Sequence, residues 1–259
     1  MRDGKDPEGT VMLRIVLFVV LGVVALVAGG IAFFPMSIAA DMASKQMPDF
    51  RYTEASGSVW DGKLSNVSLG HQHIGDLAVK ANLFSLLTGK ATGMLGLMRE
   101  GFSGQADLAY GLSNGALDIK DMKIDGDTGM VPGMPATLAQ AGGKFTLQVK
   151  ELKFDQSTCQ TATGEVWTDA LTKVNVQGWV GPELRGPVTC EGGRLHMQAA
   201  GKAATGEDVL ARLNVSPSMD LEMTATVTNA SPAALEALTQ IGFVPEGSAL
   251  VLRHGLGSQ

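Results

Sequence analysis

The longest uninterrupted apolar stretch of the chain lies near its N-terminus. Residues 15–34 read IVLFVVLGVVALVAGGIAFF and carry no charge, between Arg14 and Pro35. As an α-helix that rises about 1.5 Å per residue, such a stretch reaches roughly 30 Å, the thickness of the hydrocarbon core of a bilayer. The pattern therefore predicts a transmembrane helix over residues 15–34, preceded by a short cytoplasmic head, residues 1–14.

A cleaved signal peptide is the alternative interpretation of this stretch. The apolar region of a secretory signal usually spans about 7–15 residues before a small-residue cleavage site. The stretch here is longer, although residues 37–39 (SIA) resemble a weak cleavage site. A slight excess of Lys and Arg on the N-terminal side favours a cytoplasmic head. We therefore favour an uncleaved anchor with the C-terminal bulk of the chain exported.

Small residues line one side of the predicted membrane helix. They recur at spacings of three and four: Gly22, Ala25, Gly29 and Ala32. Such a stripe lets two membrane helices approach closely, so it predicts a helix-packing surface. Incidental Ala and Gly in an anchor are the alternative explanation.

Beyond the anchor, apolar and polar residues alternate with the period of two that is typical of β-strands. Residues 77–81 and 106–112 show this alternation clearly, and Asp61-Gly62 and Asn114-Gly115 favour tight hairpin turns. Further strands are predicted at 173–179, 194–200, 208–215, 220–228 and 249–254.

The alternation shifts by one residue at two places. One shift falls at Lys120-Asp121 and the other between Val149 and Leu152. A β-bulge produces such a shift, and bulges bend and coil a sheet. We therefore predict a curved, bulged antiparallel β-sheet.

A few short helices interrupt the predicted strands. Asn82 is a suitable N-cap for a short helix at 83–88, and Gly89 ends it. The C-terminal helix is predicted at 232–241, after the N-cap residue Ser231.

A short motif, Gly-x-Val-Trp, occurs at residues 57–60 and again at 164–167. The repetition suggests two similar β units, a first periplasmic unit at 55–154 and a second at 155–254, although chance can supply so short a match. The motif's tryptophans, Trp60 and Trp167, are interpreted as core residues because large aromatics dominate core burial.

The remaining segments complete the predicted domain organisation. Residues 35–54 form a juncture between the anchor and the first unit, and residues 255–259 form a flexible tail.

Composition narrows the classes of partner. The net charge is −6, without a basic cluster, so nucleic acid is not an expected partner. Charged residues make up 18% and aromatic residues 5% of the chain, which has 33 glycines. This mixture favours many short strands and turns over a helical bundle.

The chain has two cysteines, Cys159 and Cys190, both in the part that we expect to be exported. In an oxidising compartment they can form a disulfide. Two buried free thiols are the alternative. Their spacing does not suggest a zinc site.

No catalytic constellation emerges from the motifs. The segment at 57–63 has the GxxxxGK spacing of a phosphate-binding loop, but Leu64 follows where that motif needs Ser or Thr. No acid/base pair or nucleophilic triad is specified. We therefore expect no enzyme activity, no metal and no cofactor.

Several of these motifs resemble the protein N family of bacterial type II secretion systems. The resemblance rests on the segments GSVWDGKLSNVSLG (57–70), Ile74-Gly75, 83–87, Cys159 ahead of 164–167, and 190–192. It implies a bitopic inner-membrane protein with a periplasmic β domain, an accessory part of the machine that moves folded proteins across the outer membrane. The anchor and the Cys159–Cys190 pair fit this pattern.

The resemblance also suggests partners. They are other inner-membrane or periplasmic secretion subunits, contacted through the small-residue stripe or a sheet edge. The family is similar in fold to AsmA-like proteins, whose coiled sheets carry lipid in larger members. The alternative function is therefore periplasmic lipid binding or transfer in an apolar groove of the sheet.

Overall fold

The protein is described by a computed structural model over residues 34–70, 72–131, 134–156, 158–176, 178–216 and 221–256. The head at 1–14, the predicted membrane helix apart from Phe34, and the stripe of Gly22, Ala25, Gly29 and Ala32 lie outside these residues. They stay predictions. Among the described residues, no helix combines the length and apolar character that a membrane crossing requires.

Antiparallel β-strands dominate the described part of the chain. In chain order they are β1 (Phe50–Arg51), β2 (Glu54–Ser58), β3 (Asp61–Leu69), β4 (Gln72–Asn82), β5 (Lys90–Arg99), β6 (Phe102–Gly111), β7 (Leu117–Asp127), β8 (Lys144–Asp155), β9 (Thr158–Thr168), β10 (Asn175–Val176), β11 (Trp179–Val180), β12 (Leu184–Glu191), β13 (Arg194–Lys202), β14 (Asp208–Val215), β15 (Leu221–Thr228), β16 (Val244–Glu246) and β17 (Ala249–Leu256). The predicted mainly-β fold is confirmed.

All of these strands except β10 and β11 belong to one sheet. Its order is β1-β3-β4-β5-β6-β7-β8-β9-β12-β13-β14-β15-β17-β16, and β2 also pairs with β3. Most strands therefore lie beside their neighbour in sequence. The main exceptions are the step from β9 to β12, where the chain leaves the sheet to form the small β10–β11 hairpin, and the step from β15 to β17, between which the chain forms a helix and the edge strand β16.

Three α-helices lie among the described residues: α1 (Met36–Gln46), α2 (Ala136–Gln140) and α3 (Pro232–Gln240). The predicted caps are confirmed. The side chain of Ser231 accepts the N–H of Ala234 at the start of α3. The helix predicted at 83–88 is a 3₁₀ helix, where Asn82 accepts the N–H of Phe84 and Gly89 has a φ of 74°.

Both predicted bulges are present. The β6–β7 register shifts opposite Asp121, which has a φ of 47°. The β8–β9 register shifts between Val149 and Glu151. A further shift between β3 and β4 contains Asn66, with a φ of 52°. Because each bulge increases local twist, the sheet is built to curve.

Two predicted hairpins are confirmed, but their predicted turns are wrong. Ser58 pairs with Asp61, so the first turn is Val59-Trp60 and the predicted Asp61-Gly62 lies inside β3. The second connection spans residues 112–116, and only its Gly115 has a positive φ. A type I′ turn requires two such residues, so this connection is a longer loop.

One predicted strand is also wrong. Residues 173–179 do not form a continuous strand, because a 3₁₀ helix (Ala170–Lys173) leads into the separate β10 and β11. Strand β12 was not predicted, since Gly186 and Pro187 in its middle are typical of loops. The predicted tail at 255–259 begins later than expected, because β17 continues to Leu256.

The two predicted β units join edge to edge in one sheet. Their boundary at residues 154 and 155 falls at the end of β8, within the β8–β9 hairpin. The repeated motif has two different local structures. Residues 57–60 end β2 and form a turn, whereas residues 164–167 lie inside β9.

The tryptophan in the core is Trp179, which is 1% exposed. The prediction for Trp60 and Trp167 needs correction, since both are only half-buried. Trp60 belongs to a hairpin turn at the end of the sheet. The indole N–H of Trp167 instead donates to Glu183 Oε2 at 3.1 Å, at an exposed position.

Candidate interaction surfaces

The register divides the sheet into an apolar face and a polar face. Residues that pair directly across strands share a face. One row across β4–β9 is apolar: Leu77, Leu97, Gly104, Ile124, Leu147 and Val166. The adjacent row is mostly polar: Ala78, Gly96, Gln105, Lys123, Gln148 and Glu165. We call the corresponding sides the apolar face and the polar face.

Helices cover the apolar face at its two ends. Next to β3, Met36 and Ala40 of α1 are buried together with Leu64 and Val67. Over β12–β17, helix α3, helix α2 and the β10–β11 hairpin form a second cover. Their residues belong to the largest buried cluster, which includes Leu238, Trp179 and Leu138 together with Val227 of the sheet.

Between these covers, the apolar face is left partly open. No residue of β5 or β6 is buried. Half-buried apolar residues form what we call the open strip: Leu95, Leu97, Leu108 and Ile124. Ile119 of β7 instead packs against a buried cluster that includes Val149 and Val188. Contiguous apolar surface of this kind is typical of an interaction site.

The polar face carries shallow grooves with balanced charge. One groove of about 540 Å³ lies beside β3–β7 and is lined in part by Lys63, Asp76, Met98, Lys123 and Asp125. Lys123 Nζ and Asp125 Oδ2 lie 3.2 Å apart and neutralise each other. Within the described ranges, no group of three or more His, Cys, Asp or Glu side chains is placed to hold a metal ion. The groove therefore has the character of solvated surface.

The disulfide lies where the two halves of the sheet meet. Cys159 near the start of β9 and Cys190 near the end of β12 are bonded, with Cα atoms 5.6 Å apart, which confirms the pairing. The β9–β12 ladder ends at the pair Val188–Gly164. Beyond it, the N–H of Cys159 donates to the carbonyl of Gly193 at 2.9 Å. The disulfide therefore holds the strands together where their ladder has stopped.

Glu207 is a completely buried carboxylate that sequence reasoning missed. It accepts hydrogen bonds from the hydroxyl groups of Ser231, at 2.5 Å, and Thr205. Burial by itself raises the pKa of Glu207, but the hydrogen bonds from Ser231, Thr205 and the backbone outweigh burial and lower the pKa to about 2. Because Ser231 also caps α3, Glu207 fixes the start of that helix to the β13–β14 turn.

One sheet edge is only half covered. Strand β16 pairs with Ala249–Val251 of β17 and leaves residues 252–256 with β15 as their only strand neighbour among the described residues. Pro245 protects β16 itself from further pairing, since proline cannot donate a ladder hydrogen bond. The open half of β17 is therefore the accessible template for an added strand.

Comparison with known proteins adds one match. No curated protein and no solved structure matches the chain. A family model described as type II secretion system (T2SS), protein N, matches residues 48–251, well over half of the chain. This range runs from the juncture before β1 into β17 and includes the disulfide, the open strip and Glu207. The chain therefore belongs to the type II secretion system protein N family.

Proposed function

We propose that the protein is a non-enzymatic, inner-membrane-anchored subunit of a type II secretion system. Its β-sheet lies in the periplasm and assists the transport of folded proteins across the outer membrane. The observation that carries this proposal is the family match over residues 48–251. The Cys159–Cys190 disulfide supports a periplasmic position, because such bonds persist in oxidising compartments. The apolar stretch at 15–34 supplies the anchor.

The structural role of the buried carboxylate of Glu207 agrees with a function in binding rather than catalysis. All of the hydrogen bonds to Glu207 come from its own fold, and they stabilise a helix start. Several carboxylates at the surface form ion pairs along the strands, such as Glu151 with Lys153. Surface pairs of this kind keep a sheet solvated.

In this proposal a neighbouring secretion subunit adds a strand at the open half of β17. Strand addition supplies main-chain hydrogen bonds to an unpaired edge. Arg253 lies in this segment on the exposed side, where its guanidinium forms an ion pair with Glu246. A partner strand that approaches here meets this ion pair first.

Two measurements in cells test the proposal. Deleting the gene should leave folded cargo in the periplasm, and the full chain should restore secretion. A photo-crosslinking residue at Arg253 should capture type II secretion subunits, identified by mass spectrometry. The same residue at Lys150, exposed on β8 in the middle of the sheet, should not. Normal secretion without the gene would contradict the proposed role.

The open strip favours a second candidate function, the handling of lipid. Half-buried leucine and isoleucine side chains on a curved sheet offer an apolar surface that matches an acyl chain. In that case phospholipid should co-purify with the detergent-extracted full chain, and Leu97→Asp together with Leu108→Asp should abolish the lipid signal. Equal lipid recovery from this variant and the unmodified chain would exclude the strip as the lipid site.

A further inference from the structure

A cluster of exposed apolar side chains lies at one end of the sheet. Phe84 is 77% and Leu87 85% exposed in the 3₁₀ helix between β4 and β5, and Leu112 is 56% exposed in the β6–β7 loop. The N–H of Leu112 donates to the carbonyl of Gly89 at 3.0 Å, which joins the two loops. We call Phe84, Leu87 and Leu112 the apolar tip.

The polar atoms of this 3₁₀ helix hydrogen-bond within it. Asn82 Oδ1 accepts the N–H of Phe84 at 3.0 Å, Ser85 Oγ donates to the Asn82 carbonyl at 2.6 Å, and Thr88 Oγ1 donates to the Ser85 carbonyl at 2.7 Å. Residues 83–88 and 112–116 carry no charge. Because its hydroxyl groups and cap are already paired, the tip loses few interactions when it leaves water.

The tip lies at the end of the sheet where the chain enters from the predicted anchor. The carbonyl of Phe34 accepts the N–H of Val59 at 3.1 Å in the β2–β3 turn. In the same turn, the carbonyl of Trp60 accepts the N–H of Ala81 at 2.9 Å, one residue before the cap residue Asn82. Phe34, the last residue of the predicted membrane helix, is therefore connected to the 3₁₀ helix through one β-turn.

We propose that the apolar tip inserts into the interfacial region of the lipid bilayer that the N-terminal stretch spans. This inference rests on the anchored arrangement of the proposed function. Because the carbonyl of Phe34 is hydrogen-bonded to the β2–β3 turn, this end of the sheet lies next to the last residue of the predicted membrane helix and therefore at the membrane surface. Adjacent strands are about 5 Å apart, which puts the β4–β5 connection roughly 5–10 Å from the β2–β3 turn. The bilayer is thus the apolar phase within reach of Phe84 and Leu87, and Phe and Leu are side chains that interfacial segments commonly bury in it.

A second contact with the bilayer sets the direction of the strands. An anchor alone leaves the sheet free to pivot, whereas the anchor and tip together fix one end of β4–β7 at the membrane. The opposite ends then point into the periplasm, on the order of 30 Å away for a ten-residue strand. Met98 marks that far end of β5 and is 71% exposed.

The inference is tested with the full chain in vesicles of phosphatidylethanolamine and phosphatidylglycerol. A single cysteine is introduced as Phe84→Cys, Leu87→Cys or, as the matched control, Met98→Cys, and is labelled with the fluorophore NBD without reduction. Cys159 and Cys190 are disulfide-bonded and do not react. We expect blue-shifted emission at positions 84 and 87, quenched by lipids with a spin label near the headgroup. NBD at position 98 should emit as in water and escape quenching.

Alkaline carbonate extraction of the same vesicles distinguishes a failure of the tip insertion from a failure of the membrane anchor. A chain that resists extraction but shows the same unquenched emission at positions 84, 87 and 98 would overturn the tip insertion and leave the anchor intact. Release of the chain by carbonate would overturn the anchor and the insertion that rests on it. Shielding of position 87 from a water-soluble maleimide in cells, without quenching in vesicles, would mean that a protein covers the tip and would also overturn the inference.

Discussion

The apolar face of the sheet is covered over one half of the sheet and uncovered over the other. Over β12–β17 the face is closed by α3, α2 and the β10–β11 hairpin, and Leu238 and Val227 lose all exposure. Over β5–β7 the chain turns back through short loops and supplies no cover, so the open strip remains half-buried. One half thus stabilises the fold with its own residues, and the other leaves apolar surface for a neighbour.

The largest loss of stability is expected from a substitution in the closed half of the sheet, β12–β17. Leu238→Ala should lower the free energy of unfolding by roughly 2–5 kcal/mol, because a fully buried leucine leaves a cavity. The matched change Leu97→Ala in the open strip should cost only about 1 kcal/mol, because its side chain is already partly hydrated. Urea titration of the full chain in detergent compares the two. Equal losses would mean that the strip is as well packed as the core.

The next largest loss of stability is expected at the disulfide that joins the two halves of the sheet. Replacing both Cys159 and Cys190 by alanine should lower the free energy of unfolding by roughly 3–4 kcal/mol, the loop-closure contribution expected at a sequence separation of 31 residues. Chemical denaturation of the double variant, with reduced and oxidised unmodified chain as controls, measures this. An unchanged midpoint would show that the β9–β12 ladder alone holds the halves together.

Acid should weaken the closed half specifically. The pKa of Glu207 is about 2 in the folded chain, below its ordinary value of 4.5, so its stabilising contribution is complete above pH 4.5 and is lost as the pH falls towards 2. Unfolding free energies at pH 5 and pH 2.5 should differ by about 2 kcal/mol more in the unmodified chain than in Glu207→Gln. The same pH dependence in both would exclude Glu207 as the cause.

The smallest losses of unfolding free energy are expected from substitutions at two helix caps. Ser231→Ala should cost about 2 kcal/mol, because it removes the cap of α3 and a hydrogen bond to the buried Glu207. Asn82→Ala should cost less than 1 kcal/mol, since the exposed 3₁₀ helix that it caps packs over no core. Thermal unfolding of both variants gives the order. A larger loss at Asn82 would contradict the division into closed and open halves.

Local patterns predicted the strands, caps and bulges because those features depend on neighbouring residues. The shift at Lys120-Asp121 is visible in the alternation itself, and Ser231 precedes a proline where a helix must begin. Features set by distant contacts were missed. Glu207 resembles a surface charge until Ser231, far along the chain, supplies its hydrogen bonds.

The burial of Trp179 and the exposure of the open strip also depend on contacts that are distant in sequence. Trp179 ends the segment 173–179 that the pattern predicts as one strand, and the packing of α3 and of the 3₁₀ helix at Ala170–Lys173 against β11 buries it. In the sequence, the strands that carry the open strip show the same apolar–polar alternation as any half-buried strand. Whether a cover lies over such an alternation depends on where the helices go in three dimensions.

Hydrogen exchange of the full chain, followed by mass spectrometry, tests the contrast between the halves most directly. Amides of β14 and β15 should exchange slowest, with protection that approaches the global free energy of unfolding. Amides of β5 and β6 should exchange much faster, by local opening beneath the uncovered strip. Uniform protection across β5–β6 and β14–β15 would contradict the account of a sheet closed over one half and left open over the other.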